Sequence, residues 1–399
     1  MTTLKIWPAA SGALLIMGTC IGAGMLALPV VTGVAGFLPA IAINLLCCLF
    51  MMATGLLFLE AILWMKVGVN VLTLAHHFLG FAGKLVGGVS FLFLYYCLEV
   101  SYCSGGAPIL SKLIYEASRI TVEGPYSYVL FTCLFGYIIY LGTHALNRVN
   151  WILMVGLILS FILLIALGSG LVEMKLLKRS NWTLALAAAP TLFGAYGYHN
   201  LLPSLSDYLK QNVQALRISI IAGTLIPFLI YSIWQWLIIG TLSLEQIEHA
   251  DLIGEPITQT LHAYVGNVWV STLGELFGFF ALVTSFLGVS LSMVDFLADG
   301  LKVEREGTNR IFLCLAVFVP PVIFAASYPG IFIEAIGIAG GIGEAILNGL
   351  LPIGMVWVGR YHMHLSSSNP LFGGRFMLVV LFFITLLIMG IEIRHLMVH

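Results

Sequence analysis

About eleven apolar segments, each long enough to cross a bilayer, follow one another along this chain of 399 residues. A helix needs about 20 mostly apolar residues to span the hydrocarbon core, and a hydropathy window of about 19 residues finds such segments. They lie near 7–34, 37–64, 84–111, 125–145, 149–170, 183–208, 214–240, 269–298, 309–327, 331–356 and 373–394. The connections are too short for a separate soluble domain. We therefore expect an all-α integral membrane protein.

The composition agrees with this fold class. Hydrophobic residues make up 60% of the chain and charged residues 9%, with a mean hydropathy of +1.04, whereas a soluble domain is roughly 25% charged. Membrane lipid is thus the expected surrounding, and a net charge of −1 offers no basic surface for nucleic acid. The seven cysteines lie in apolar runs without a CxxC pair, so neither a disulfide framework nor a zinc site is expected.

The Lys and Arg residues near the span ends predict the orientation, because cations are in excess on the cytoplasmic side. With the N-terminus inside, the inner set has eleven members: Lys5, Lys66, Lys84, Arg148, Lys210, Arg217, Lys302, Arg305, Arg310, Arg360 and Arg375. The outer set has six: Lys112, Arg119, Lys175, Lys178, Arg179 and Arg394. We therefore expect a cytoplasmic N-terminus and an external C-terminus, although the outer cluster LLKRSN counts against this orientation.

Two of the apolar segments contain glycines at positions where a lipid-facing helix is poorly supported. Span 1 carries GTCIGAG at 18–24, and span 6 carries FGAYGYHN at 193–200. These spans open two sets of five, in 1–170 and 183–356, and 373–394 is an additional span of the same transport domain. Glycine-interrupted spans at matching positions of two halves indicate a secondary transporter with inverted repeats. We expect both helices to be broken at mid-membrane.

A broken helix exposes peptide groups that line a cavity instead of facing lipid. Amides at the start of the second half-helix attract a carboxylate, and carbonyls at the end of the first half-helix can hold an ammonium group or a cation. A zwitterionic amino acid fits both ends. The expected function is therefore amino acid transport by alternating access.

Other interpretations of these glycines stay open at this point. Gly18 and Gly22 form GxxxG, which in an apolar helix is often only a packing face. Gly22, Gly24 and Ala27 match the dinucleotide pattern G-x-G-x-x-A, but no strand precedes them. The sequence has no Walker A motif for an ATP-driven pump, no catalytic set for a membrane enzyme and no repeated filter segment for a channel. The pairing of two broken spans favours a carrier.

Four segments carry a resemblance to a known family: GTCIGAGMLALPV at 18–30, MMATGLLFLEAILW at 51–64, YGYHNLLPSL at 196–205 and TSFLGVSLSMVDFLADGL at 284–301. In combination they resemble the hydroxy/aromatic amino acid permeases, close to the bacterial tyrosine- and tryptophan-specific carriers, and the resemblance runs nearly end to end. It implies the LeuT-type fold of the amino acid, polyamine and organocation superfamily, located in the bacterial inner membrane. It also implies import of tyrosine, with tryptophan or phenylalanine as further substrates, driven by an ion gradient without a cofactor. A serine/threonine carrier of the same family is the alternative, although the Tyr-rich span 3 favours an aromatic substrate.

The resemblance further implies that the substrate lies in the gaps of spans 1 and 6. The amides of residues 22–24 would hold its carboxylate, and carbonyls near Thr19, Phe193 and Gly194 its amino group. The substrate side chain would project toward spans 3, 6 and 8. The complete expected substrate-binding set is Thr19, Cys20, Gly22, Ala23, Gly24, Met25, Tyr95, Glu99, Tyr102, Phe193, Gly194, Tyr196, Tyr198 and His199.

Two interpretations of the coupling ion remain. Five residues match the carbonyl pair and the A-x-x-T-S pattern of the sodium site in LeuT-type carriers: Gly18, Ile21, Ala281, Thr284 and Ser285. Glu99 and Glu344 are instead carboxyls within spans, where a charge is costly and indicates a function, and the permeases that this chain resembles are generally proton-coupled. The expected coupling ion is therefore H⁺, with Na⁺ as the alternative, while His199 can also carry a proton. No oligomeric state is predicted.

Overall fold

The computed structural model describes residues 6–366 and 373–398, and the regular elements there are all helices. Lys5, one cation of the orientation count, lies outside these residues. The chain begins with α1 (Ile6–Cys20), α2 (Gly24–Gly33), α3 (Phe37–Leu63), α4 (Val71–Ser118), α5 (Pro125–Leu141) and α6 (Thr143–Gly168). Short helices follow: α7 (Met174–Leu177), α8 (Trp182–Ala185), α9 (Ala189–Ala195) and α10 (Leu202–Tyr208).

The second half of the chain again consists mainly of long helices. They are α11 (Val213–Thr241), α12 (Leu244–Ile253), α13 (Ile257–Tyr264), α14 (Val268–Leu301), α15 (Gly307–Ser327), α16 (Phe332–Ile338), α17 (Leu351–Tyr361) and α18 (Gly374–Val398). A π-helical stretch, Ala339–Leu350, joins α16 to α17 without interruption. Single 3₁₀ turns are formed by Ser169–Leu171, Leu186–Ala188 and His199–Leu201.

Eight helical segments of the described chain are long and apolar enough to cross a membrane. They are Phe37–Leu63, Val71–Ser118, His144–Leu171, Val213–Thr241, Val268–Leu301, Gly307–Ser327, Phe332–Tyr361 and Gly374–Val398. α1 and α2 together make a ninth, bent by 62° at its break. α5 is an apolar helix of 17 residues, and the segment predicted near 183–208 is divided among α8, α9 and α10. The chain is therefore a multi-pass membrane protein.

α4 contains a break of its own at Gly80. This residue has φ +68° and ψ −162°, which lies outside the helical region and which glycine adopts without a side-chain clash. Residues 71–79 consequently form a short helix that is separate from the long part of α4. Asn70 caps the short helix, since its Oδ1 accepts a hydrogen bond from the Thr73 amide at 2.8 Å. The span predicted near 84–111 lies entirely in the long part.

α11 packs closely against α1 and so joins the two halves of the chain. The Ser219 hydroxyl donates to the Ala9 carbonyl at 3.0 Å. A Cβ built on Gly223 would lie 2.6 Å from the Cβ of Ile16, so only glycine permits this approach. Small residues commonly bring helices together in lipid in this way.

The glycine-rich stretch Ala339–Leu350 lies between α9 and α18. A Cβ on Gly340 would lie 2.0 Å from the Pro190 carbonyl oxygen of α9, and a Cβ on Gly341 would lie 2.6 Å from the Cβ of Glu392 on α18. Glycine therefore allows the backbone of this stretch to approach both neighbours. π-Helical geometry is rare and often occurs at functional sites, and this stretch also carries Glu344.

Candidate functional site

The first helix break lies between α1 and α2. α1 ends at Cys20 and α2 begins at Gly24. Within the break, the Ala23 amide donates to Oγ of Ser285 on α14 at 3.0 Å, whereas the amides of Gly22 and Gly24 have no acceptor among the described residues. The helix thus gives up its internal hydrogen bonding at this point, and two peptide N–H groups stay free to bind a ligand.

The second break follows α9, which ends at Ala195. The irregular residues up to the turn His199–Leu201 are held by buried side chains that bind α3. These contacts join Tyr196 Oη to Asn44 Oδ1 (2.7 Å), Tyr198 Oη to the Met51 carbonyl (3.0 Å) and His199 Nε2 to Thr54 Oγ1 (3.0 Å). These three hydrogen bonds attach the segment to α3.

A tyrosine of α11 joins the two breaks. The Tyr231 hydroxyl lies 2.6 Å from the Cys20 carbonyl oxygen and 2.8 Å from that of Ala195. These carbonyls lie at the ends of α1 and α9, where helix carbonyls lack partners within their own helix. The hydroxyl has one proton, so it donates to one of the two carbonyls at a time. α2 and α9 also touch directly, since a Cβ on Gly24 would lie 3.1 Å from the Cα of Ala195. The two broken helices therefore form one packed unit.

An internal cavity of about 90 Å³ lies beside both breaks. One wall comes from α4 and is mainly aromatic and aliphatic: Phe91, Leu94, Tyr95, Leu98 and Tyr102. Polar groups from other elements complete the lining: Thr19, His199, Asn200, Glu344 and Asn348. Ligand sites typically combine apolar walls with a few converging polar groups, and this cavity has that character.

A second, larger space of about 690 Å³, here called the vestibule, adjoins the cavity. The ring of Phe91 lies between them, stacked on Tyr95 at 4.1 Å and on Phe296 at 4.3 Å between ring centroids. Nδ2 of Asn200 donates to the Tyr95 hydroxyl at 2.6 Å. Four residues line both spaces, namely Val71, Phe91, Tyr95 and Asn200. The three that are joined by ring stacking and the hydrogen bond, Phe91, Tyr95 and Asn200, are here called the partition. Charged and titratable residues line the vestibule beyond this partition: His76, Lys84, Asp295, Asp299 and Lys302.

The structure brings part of the predicted substrate set into the cavity lining, namely Thr19, Tyr95, Tyr102, Gly194 and His199. The other members lie outside that lining: Cys20, Gly22, Ala23, Gly24, Met25, Glu99, Phe193, Tyr196 and Tyr198. Gly22 faces α14, since a Cβ there would lie 2.3 Å from Oγ of Ser285. Gly24 faces α9 in the same way, since a Cβ there would lie 3.1 Å from the Cα of Ala195.

The hydroxyls of the predicted sodium set make hydrogen bonds within the protein. Ser285 accepts the amide of the first break, as described above. Oγ1 of Thr284 bonds to carbonyls of its own helix at 2.8 and 3.2 Å, the second being that of Ala281. Gly18 and Ile21 lie where α1 ends, and a Cβ on Gly18 would meet no atom within 4 Å.

The two predicted coupling carboxyls have different surroundings. Glu99 is fully buried, and its Oε1 accepts a hydrogen bond from the Ser290 hydroxyl at 2.8 Å. Glu344 lines the cavity, and its Oε2 accepts a hydrogen bond from the Asn348 side-chain amide. Of these two carboxyls, only Glu344 lines the cavity.

Ten of the lining residues belong to none of the predicted sets, among them Phe91, Asn200 and Asn348. Asn200 directly follows His199 in the glycine-interrupted segment, and Asn348 lies four residues after Glu344 in an apolar span. A search for every amide side chain inside an apolar segment would have found both. Phe91 has no such signal, because one more phenylalanine in an apolar helix is not distinctive.

Two helix breaks, an internal cavity and an adjoining vestibule, all within a multi-pass membrane protein, indicate the class of membrane transport proteins. The chain belongs to the tryptophan/tyrosine permease family, which matches residues 5–392. The resemblance to the aromatic amino acid permeases is thus confirmed. So is the expectation that the chain is not an enzyme, since this family consists of permeases.

Individual relatives cover nearly the same length. The chain is 33% identical over 384 residues to the tyrosine-specific transport system 1 of Haemophilus influenzae, which covers 95% of this chain and 94% of that protein. It is 31% identical over 338 residues to the tryptophan-specific transport protein of Pseudomonas aeruginosa, with coverages of 82% and 81%. It is also similar to glutamine transporter 2 of Aliivibrio fischeri, at 26% identity over 348 residues, 86% of this chain and 87% of that protein.

Proposed function

We propose that this protein imports aromatic amino acids, tyrosine first and tryptophan and phenylalanine as further substrates, across the bacterial inner membrane. The observation that carries the proposal is the aromatic wall of α4 beside two helix breaks, in a chain 33% identical to a tyrosine-specific transport protein. Rings pack favourably against rings, in offset or edge-on contacts. The peptide groups of the first break can bind the charged ends of the substrate, the amides its carboxylate and the carbonyls its amino group.

The proposed architecture has eleven spans in a LeuT-type arrangement. α1 with α2, and α8 to α10, would be the first spans of two inverted repeats in 1–170 and 183–356, and α18 the additional span. The N-terminus would be cytoplasmic. In that orientation the start of α4, the end of α14 and α10 lie toward the cytoplasm, so the vestibule is the cytoplasmic entrance.

The size of the cavity supports alternating access. An apolar cavity of about 150 Å³ can hold benzene, whereas this cavity measures about 90 Å³. An aromatic amino acid therefore requires the lining to move. The partition of Phe91, Tyr95 and Asn200 is the part of the lining that borders the vestibule, and its displacement would join cavity and vestibule.

Within the site, we assign the substrate carboxylate to the free amides of Gly22 and Gly24 at the start of α2, where the helix dipole favours an anion. The amino group would bind carbonyls at the end of α1, near Thr19. These assignments place the charged ends of the substrate at the breaks and its ring toward α4.

Proton coupling is the second part of the proposal. A carboxyl in the cavity, Glu344, supports it, and the hydroxyls of Thr284 and Ser285 already have partners. Sodium coupling is the alternative, because Ser285 nevertheless contacts the first break directly.

Uptake by proteoliposomes tests these proposals. Purified protein would be reconstituted and given radiolabelled tyrosine, tryptophan, phenylalanine, serine, threonine or glutamine, with pH and sodium gradients imposed separately. We expect accumulation of the aromatic amino acids under an inwardly directed proton gradient and none in protein-free liposomes. Indifference to all three aromatic amino acids would overturn the substrate class, and accumulation driven by sodium alone would overturn proton coupling.

A further inference from the structure

The two carboxyls predicted to couple transport, Glu99 and Glu344, are both buried, and their access to ligands differs. Glu99 lines neither the cavity nor the vestibule, and its Oε2 is buried without a hydrogen-bond partner. Glu344 lines the cavity directly. A substrate in that cavity would therefore meet Glu344 and not Glu99.

Only one of the two Glu344 oxygens has a partner among the residues that the structure describes. Oε2 accepts from Asn348. Oε1 lies at Gly197 in the second break, where a Cβ would be only 2.0 Å away. Because Gly197 has no side chain, the carboxyl of Glu344 can occupy this position. Because no residue that the structure describes donates to Oε1, it is the oxygen that can bond to a ligand.

Among the described residues, the groups that face Glu344 do not include a cation. Those that titrate in the cavity lining are Tyr95 and Tyr102 from α4 and His199 from the second break. Cys20 of α1 lies behind it, and Glu392 of α18 packs on the far side of the π-helical stretch, against Gly341. No Lys or Arg within 6–366 or 373–398 lines the cavity. The negative charge of an ionised Glu344 would therefore have no neighbouring cation to balance it. It would repel the carboxylate of an incoming substrate.

We infer that Glu344 is where the transported proton and the amino acid meet: in its protonated form, its carboxyl O–H donates a hydrogen bond to the substrate carboxylate. This inference rests on the proposed function. The proton comes from the outer solution, binds a Glu344 oxygen and leaves toward the cytoplasm together with the substrate, and no other bond is formed or broken. Each ligand strengthens binding of the other, because the ionised carboxyl and the substrate carboxylate repel. That mutual dependence is what couples two ligands in a symporter.

The deciding experiment compares Glu344→Gln with Glu99→Gln in proteoliposomes. The glutamine amide can donate a hydrogen bond as the protonated acid does, but it cannot release a proton. We expect Glu344→Gln to exchange internal for external tyrosine at a rate within about threefold of that of the unmodified protein. This rate should not depend on pH between 5 and 8. Proton-driven accumulation of tyrosine should fall at least tenfold. Glu99→Gln should keep accumulation. Accumulation retained by Glu344→Gln, or exchange lost in a variant that is still folded, would overturn the inference.

A second variant decides the case in which Glu344→Gln does not fold. Asn348→Ala removes the donor that stabilises the ionised carboxyl of Glu344, so the proton should stay bound to higher pH. We expect the pH of half-maximal tyrosine uptake to rise by about one unit, whereas an unchanged pH profile would contradict the role of Glu344. Failure of the proposed function is distinguishable, because it appears in the unmodified protein as absent aromatic uptake or as uptake driven by sodium alone.

Discussion

The guanidinium of Arg360 and the carboxylate of Glu60 are joined by two parallel hydrogen bonds of 2.7 and 2.6 Å. The pair ties α17 to α3, and its side chains are only 11% and 2% exposed. Beside it, the ring of Trp64 packs on Gly359, where a Cβ would lie 2.3 Å from the indole. α3 also holds the second helix break and α17 continues the stretch that carries Glu344, so this pair fixes two elements that support the site.

Replacing Arg360 by methionine would leave Glu60 buried without its partner. Removal of one member of a buried pair typically costs about 3–5 kcal/mol, so we expect a clear loss of stability in Arg360→Met. Arg305→Met is the control, because Arg305 and Asp295 form an ion pair with side chains 47% and 39% exposed, and an exposed pair contributes at most about 1 kcal/mol. Thermal unfolding in detergent measures both. Equal losses in the two variants would contradict this account.

Tyr231→Phe should weaken the packed unit of the two breaks. The variant keeps the ring but removes the hydroxyl that contacts the carbonyls of Cys20 and Ala195, and a buried polar group left without a partner costs about 1–3 kcal/mol. We expect a lower unfolding temperature and slower tyrosine uptake. Tyr137→Phe on α5 removes an equivalent hydroxyl from a residue that is 59% exposed, and it should leave both measurements unchanged. If the two variants behave alike, Tyr231 does not hold the breaks together.

The positions of the breaks could be predicted because their cause is local. Glycine and the irregular composition around it weaken a helix wherever they occur, and α1 and α9 end at Cys20 and Ala195, inside the glycine-containing segments. The apolar segments likewise predicted most of the long helices, since length and hydropathy are properties of the chain itself, but the count of eleven spans stays a prediction.

Which peptide groups and side chains face the cavity depends on residues distant in sequence. The Ala23 amide bonds to Ser285, which is 262 positions away, and no pattern near Ala23 indicates it. The position of Glu344 in the cavity also depends on a distant residue. Its π-helical stretch, Ala339–Leu350, contacts Gly197 of the second break. The volume of the cavity follows from how all these side chains pack together, so the sequence did not predict it.

Gly340→Ala should disrupt the contact between the π-helical stretch and α9. The new Cβ would lie 2.0 Å from the Pro190 carbonyl oxygen and 2.4 Å from the Gly194 amide nitrogen, and backbone atoms cannot move aside as a flexible side chain can. Overpacking typically costs about 1–3 kcal/mol, so unfolding in detergent should occur at lower temperature and tyrosine uptake should fall. Gly390→Ala on α18, where a Cβ meets no atom within 4 Å, should be neutral or slightly stabilising. A stable, active Gly340→Ala variant would contradict the close packing described.

Thiol labelling tests whether the vestibule opens to the cytoplasm. Ser204 lines the vestibule and is exposed, so we expect Ser204→Cys to react with a membrane-impermeant maleimide in inside-out vesicles and not in right-side-out vesicles. Thr121→Cys is the matched control, because Thr121 is an exposed residue of the connection between α4 and α5, predicted on the outer side. It should show the opposite pattern, and the unmodified protein gives the background from its own seven cysteines. Labelling of Ser204→Cys only from the outside would reverse the proposed orientation, and the vestibule would then be the entry route for substrate.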